Sequence, residues 1–128
     1  MRYFQYIRKS TDDGDHQALS LEKQERENLR RFGDDPEVVI VETIEEKRSA
    51  KVPGRPLFNQ MLNRIERGEA DAILAWQPNR LARNSIDGGR VIYLLDTGKL
   101  KDLKFANYTF ENNPQGKFML SIAFANAK

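Results

Sequence analysis

The chain has no cysteine and a single histidine, His16, among its 128 residues. That removes disulfides, thiol catalysis and the ordinary zinc sites, which draw on these two residue types. No apolar run approaches the eighteen or so residues that a bilayer span needs. The start, Met1-Arg2-Tyr3-Phe4-Gln5, lacks the apolar stretch and cleavage site of a secretory signal. Neither a G-x-G-x-x-G nor a Walker sequence occurs, so no nucleotide cofactor is expected. An excess of one charge is missing too: 21 Lys and Arg stand against 19 Asp and Glu, a formal net charge of +2. A sequence-independent nucleic-acid module ordinarily carries a stronger basic excess. Any acidic partner is therefore held by placed cations, or mainly by parts of the protein outside this chain. A cytoplasmic location is the natural reading of these absences.

What is present is 39% hydrophobic and 31% charged, enough apolar material for one domain over residues 1–128. Tyr3, Phe4, Tyr6 and Ile7 predict a strand over residues 2–8. After a polar loop, Ser20 is a candidate N-cap for a charged helix to Phe32, closed by Gly33. Val38 to Val41 is a β-branched run of the kind found in strands buried on both faces. Pro56 can open a second helix with Leu57, Phe58, Met61, Leu62 and Ile65 at helical spacing, ended by Gly68. Ala72 to Trp76 is a third strand, and Asn84 or Ser85 caps a helix running to Gly98 that tolerates Gly88 and Gly89. Leu103 to Tyr108 is a fourth strand candidate, and a last helix starts near Pro114. Strands alternating with helices predict a three-layer α/β sandwich with a mostly parallel sheet of about four or five strands. The chain stops at Lys128 without a helix stop signal, and reads as a fragment cut inside a helix.

In open α/β sheets, function gathers beyond the carboxyl ends of the strands. Three such loops stand out: Tyr6-Ile7-Arg8-Lys9-Ser10-Thr11, residues 48–55, and Gln77-Pro78-Asn79-Arg80-Leu81-Ala82-Arg83-Asn84. Arg8 and Ser10, two apart, share a face if the strand continues. Arg80 and Arg83 are one helical turn apart, which would set both guanidinium groups on one side. A serine among arginines, without a histidine or lysine arranged as its base, is poor equipment for acyl transfer. It suits phosphoryl transfer, where positioning and electrostatics supply most of the catalysis. Arginine there acts as a clamp and field source, since it stays protonated. A lone R-x-S equally fits a structural ion pair, and R-x-x-R a solvated helix face. Asp12-Asp13-Gly14-Asp15 fails as a calcium loop, because Lys23 stands where a bidentate Glu is needed. Trp76 could touch DNA, but reads better as packing at a strand end, and Phe118, Ile122 and Phe124 as core or subunit contacts.

Taken together these segments resemble the serine recombinases, in their resolvase/invertase catalytic domain. Tyr6 to Thr11 is similar to the family's Y-x-R-x-S-T motif, and Ser20-Leu21-Glu22-Lys23-Gln24 to the S-L-x-x-Q that follows it. Arg55 falls where the family has a further active-site arginine, and Asn79-Arg80-Leu81-Ala82-Arg83 is similar to D-R-L-x-R. Gly116-Lys117-Phe118-Met119 resembles the start of the family's pairing helix. The resemblance spans essentially the whole chain and implies a resolvase-like fold. It further implies that Ser10 attacks a DNA phosphodiester, giving a 5′-phosphoserine link and a free 3′ hydroxyl. Arg8, Arg55, Arg80 and Arg83 would hold the phosphate, and Gln24 would support the site. Double-stranded DNA and copies of the protein, as dimer and synaptic tetramer, are the implied partners. Neither ATP nor a metal is required. The Arg55-Pro56 turn with Ser49-Ala50 leans toward the large integrase and transposon members, whose further DNA-binding domains would fit the modest charge. Asn79 departs from the family's Asp: it keeps the shape but carries no charge. That departure keeps a second reading open, a noncatalytic DNA- or phosphate-binding or assembly module of the same fold. A third is an interaction domain whose arginines only make ion pairs.

Overall fold

The computed structural model describes residues 1–9 and 20–125. In chain order its elements are β1 (Arg2–Arg8), α1 (Leu21–Phe32), β2 (Val39–Glu46), α2 (Pro56–Glu66), β3 (Ala72–Ala75), α3 (Pro78–Leu81), α4 (Ser85–Asp96), β4 (Asp102–Phe105) and α5 (Pro114–Ala125). The four strands form one sheet in the order β2-β1-β3-β4, every pair parallel. Parallel neighbours need crossover connections, and here α1, α2 and α4 supply them.

Alternation along the strands sorts side chains onto two faces. Phe4 and Tyr6 of β1, with Ile73 and Ala75 of β3, meet Phe58, Met61, Leu62 and Ile65 of α2, Val91 of α4 and Phe124 of α5 in the larger core. Tyr3, Ala72 and Leu74 point the other way, toward Phe32 of α1. The sheet therefore lies between helices on both sides, the three layers expected of the α/β pattern.

Helix boundaries follow the sequence signals. Ser20 accepts from the Lys23 amide and caps α1; Asn84 accepts from the Asp87 amide and caps α4; Pro56 sits in the first turn of α2. Gly68 and Gly98, after α2 and α4, have φ of 83° and 76°, the left-handed region that glycine reaches without cost. Gly33 closes α1 in the right-handed region instead.

Three expectations need correction. The Val38 to Val41 run is not buried on both faces: β2 is an edge strand paired only with β1, and Val39 and Val41 remain 50% and 47% exposed. A β-branched run specifies a strand but not how many neighbours it has. Arg80 and Arg83 do not share a helical turn, because α3 stops at Leu81 and Ala82 is extended at φ −153°. The fourth strand ends at Phe105, and Tyr108 turns back to bridge it in antiparallel sense.

The glycine pair in α4 serves packing at one position only. A Cβ at Gly88 would lie 2.9 Å from Cδ2 of Phe124, whereas one at Gly89 would meet nothing within 4 Å. Gly88→Val should therefore destabilise by about 1–3 kcal/mol through overpacking. Gly89→Ala should stabilise by roughly 0.5–1 kcal/mol through helix propensity. Urea midpoints of the two variants, read by far-ultraviolet circular dichroism, check the opposite signs.

Candidate active site

At the carboxyl end of the sheet the end of β1 meets the loops that follow β2 and β3. Arg8, the last residue of β1, is fully buried and turns to the same face as Phe4 and Tyr6. Its Nε donates to the Arg80 carbonyl at 3.1 Å, one terminal nitrogen to the Asn79 carbonyl at 2.9 Å and the other to the Arg48 carbonyl at 3.1 Å. One guanidinium thus ties the end of β1 to the loops after β2 and β3, and its planar fork suits that task better than an ammonium. Gln24, buried on α1, grips the same residue from behind. Its amide nitrogen donates to the Arg8 carbonyl at 2.8 Å and its carbonyl accepts from the Arg8 N–H at 3.2 Å.

Arg80 is also nearly buried, with its guanidinium carbon 5.6 Å from the centre of the Trp76 ring. Trp76 is thereby a partner of the arginine loop, and it belongs to neither core cluster. Arg83, half-buried beyond α3, donates its backbone N–H to the Ala50 carbonyl at 3.2 Å. The Asn79 side-chain oxygen accepts from Gln77 at 2.7 Å, and Gln77 in turn accepts from Asn107 at 3.2 Å. The partner of the Asn79 side-chain oxygen is thus a neutral amide rather than a charged group. Ser10 and Thr11 lie outside the described residues, as do His16 and residues 12–15.

Arg55 is placed differently from the other arginines. Its side chain is buried under α2, 3.9 Å above the Phe58 ring, donating to the Tyr6 hydroxyl at 2.9 Å and to Asp87 at 3.2 Å. Its Nε has no hydrogen-bond partner among the described residues. The structure therefore brings Arg8, Gln24, the Asn79–Arg80 backbone and the residue 48–50 loop together, while Arg55 is held within the fold by a buried ion pair.

Three residues of this region escaped the sequence reading: Tyr6 as a polar group, Glu46 and Asp87. Tyr6 donates to Glu46 at 2.6 Å, and burial pushes its phenol well above the ordinary tyrosine range. Glu46 also accepts the amides of Leu57 and Phe58 at the start of α2. Asp87 accepts from both Arg55 and Asn84. An acidic residue three places after an Asn N-cap is a capping-box signal that would have singled out Asp87. Glu46 has no comparable local signal.

Asp87→Asn should cost about 3 kcal/mol, because it leaves the Arg55 charge buried and uncompensated. The double variant Arg55→Met, Asp87→Asn should recover part of that loss. Guanidinium unfolding of the four proteins in a double-mutant cycle checks both statements.

The described residues contain no cluster of side chains suited to a metal ion and no helix long and apolar enough to cross a membrane. No curated protein matched the chain in a sequence search. Among solved structures, a resolvase family site-specific recombinase from Streptococcus pneumoniae aligns with a TM-score of 0.71 at 22% identity, covering 96% of this chain and 85% of that one. The N-terminal catalytic domain of TP901-1 integrase aligns at 0.70 and 22% identity, covering 95% and 90%. The C-terminal catalytic domain of ISC1926 TnpA, an IS607-like serine recombinase, aligns at 0.65 and 19% identity, covering 96% and 79%. At these identities the structural likeness speaks for the fold. A family model, the resolvase N-terminal domain, matches residues 3–128, so this chain belongs to the resolvase N-terminal domain family.

Proposed function

We propose that the chain is the catalytic domain of a serine-type DNA recombinase and that Ser10 is its nucleophile. The observation that carries this reading is the convergence at Arg8: one buried guanidinium joins the loop leading to Ser10 to the Asn79–Arg80 segment and the residue 48–50 loop. Sites for phosphoryl transfer need that kind of fixed framework, because their catalysis is mostly positioning and charge stabilisation.

In the proposed reaction the Ser10 oxygen attacks a backbone phosphorus of DNA. A serine–phosphate bond forms, the bond to the 3′ oxygen breaks, and the proton lost by Ser10 ends on that oxygen, which leaves as a hydroxyl. The reverse attack by a 3′ hydroxyl from another end reseals the strand and frees the serine. One phosphoester replaces another, so no external energy source is required. Arg80 and Arg83 are assigned to the phosphate, with Arg8 and Gln24 holding the framework. Arg55 reaches the phosphate only if its bond to Asp87 opens. Duplex DNA and further copies of the protein are the partners this reading requires.

Two outcomes are expected. Incubating the intact protein with DNA from the ends of its own element and quenching with denaturant should trap a covalent adduct at a 5′ phosphate. The adduct should map to Ser10 and disappear in Ser10→Ala. Specific DNA binding without any adduct would instead favour the noncatalytic module. Because the Asn79 side-chain oxygen is held by the neutral amide of Gln77, an interaction a carboxylate can equally accept, Asn79→Asp should leave the cleavage rate within about threefold. A gain of a hundredfold or more in quenched-flow cleavage assays would mean that the missing charge slows this protein.

A further inference from the structure

Beyond the arginine framework, a cleft of about 510 Å³ opens between the outer face of α1 and the loops that follow β3 and β4. Lys23, Arg26, Glu27 and Arg30 form one wall, Trp76 and Asn107 the other. Positions 23, 26 and 30 recur at helical spacing, so three exposed cations stand in a row along one side of α1. The row is about 10 Å long at 1.5 Å per residue. Glu27 pairs with Arg30 at 2.5 Å and offsets one of the charges, leaving a positive surplus. Trp76, the only tryptophan of the chain, belongs to neither core cluster and is only partly covered. Its carbonyl accepts from the Asn107 amide at 2.8 Å, which ties the two loops of that wall together.

A cation row facing an aromatic ring is the arrangement that holds a single nucleic-acid strand, phosphates on the cations and a base against the ring. The cleft is also physically joined to the candidate active site. Lys23 adjoins Gln24, which grips the Arg8 backbone, and Trp76 contacts Arg80.

We propose that this cleft is a subsite for one unpaired DNA strand, which runs from the candidate active site across α1 with a base at Trp76. A duplex substrate must therefore part locally before a strand enters it. The direction of that strand rests on the recombinase reading; the cleft's affinity for a strand does not. The subsite holds the strand through Lys23, Arg26 and Arg30, and its occupancy needs no Ser10 chemistry.

Trp76 makes the test direct, since the 128-residue chain has no other tryptophan. Titrating the chain with a twelve-residue oligothymidylate at low salt should quench Trp76 emission to saturation, equally in wild type and Ser10→Ala. The triple variant Lys23→Ala, Arg26→Ala, Arg30→Ala should bind at least about tenfold more weakly, with a salt slope smaller by about 2. All three side chains are exposed, so unfolding is not expected, and circular dichroism checks it. Trp76→Phe, read by anisotropy of the labelled oligonucleotide, should also weaken binding. The proposal fails if the oligonucleotide leaves Trp76 emission unchanged, if the triple variant binds like wild type, or if inorganic polyphosphate quenches just as well. Quenching without any covalent adduct from the intact protein would overturn the recombinase reading and leave the subsite standing. An adduct with no strand bound at Trp76 would do the reverse.

Discussion

Glu46 ends β2 with its carboxylate buried, and there it accepts from the Tyr6 hydroxyl and from the first free amides of α2. A helix start leaves such amides without partners, and a carboxylate placed there satisfies them and meets the positive end of the helix dipole. Tyr6 passes the network on to Arg55, Arg55 to Asp87, and Asp87 to Asn84, which caps α4. Every group in this chain is costly to bury alone and stable only when the next is in place. The network thus fixes β1, β2, α2 and α4 against each other more specifically than apolar contact would.

That constraint reaches the candidate site through two residues of chain. Tyr6 and Arg8 point to the same face of β1, so fixing one aims the other at the Asn79–Arg80 backbone. The loop after β2 is held between them: Arg48 accepts from Arg8, and Ala50 accepts from Arg83 and Asn84. Charge stabilisation in phosphoryl transfer depends on groups that do not reorganise during the reaction. On the proposed reading, the framework of buried arginine and main-chain carbonyls supplies that fixity. The same tie brings α1, through Gln24, close enough for its cation row to lie beside the arginine loop.

Much of the architecture was legible residue by residue. Ser20 and Asn84 as caps, Pro56 as a helix start, and the Phe58, Met61, Leu62, Ile65 stripe are local signals, and each sits where its signal put it. The link between Arg8, Gln24 and Arg80 was legible only as motifs spaced along the chain, and Ser10 lies outside the described residues. The edge position of β2 was not, because the number of neighbours of a strand depends on how distant segments order themselves in the sheet. Nor was the break at Ala82, where the backbone leaves the helix to let the Arg83 amide reach Ala50. That hydrogen bond joins residues far apart in sequence, and no local propensity encodes it.

Arg55 marks the division between the two levels. By itself the sequence determined that an arginine precedes a helix-opening proline, and that helices and parallel strands alternate around it, since propensity, capping and periodicity act over a few residues. Only the tertiary structure decided that this arginine lies over Phe58 and pairs with Asp87, 32 residues further on. It also decided that Glu46 caps α2, that Arg8 ties β1 to two loops, and that the lone tryptophan faces a row of cations. The physical reason is common to all four. Buried charge and hydrogen-bonding capacity must be matched by whatever the fold brings near, and that partner is chosen by packing rather than by position in the chain.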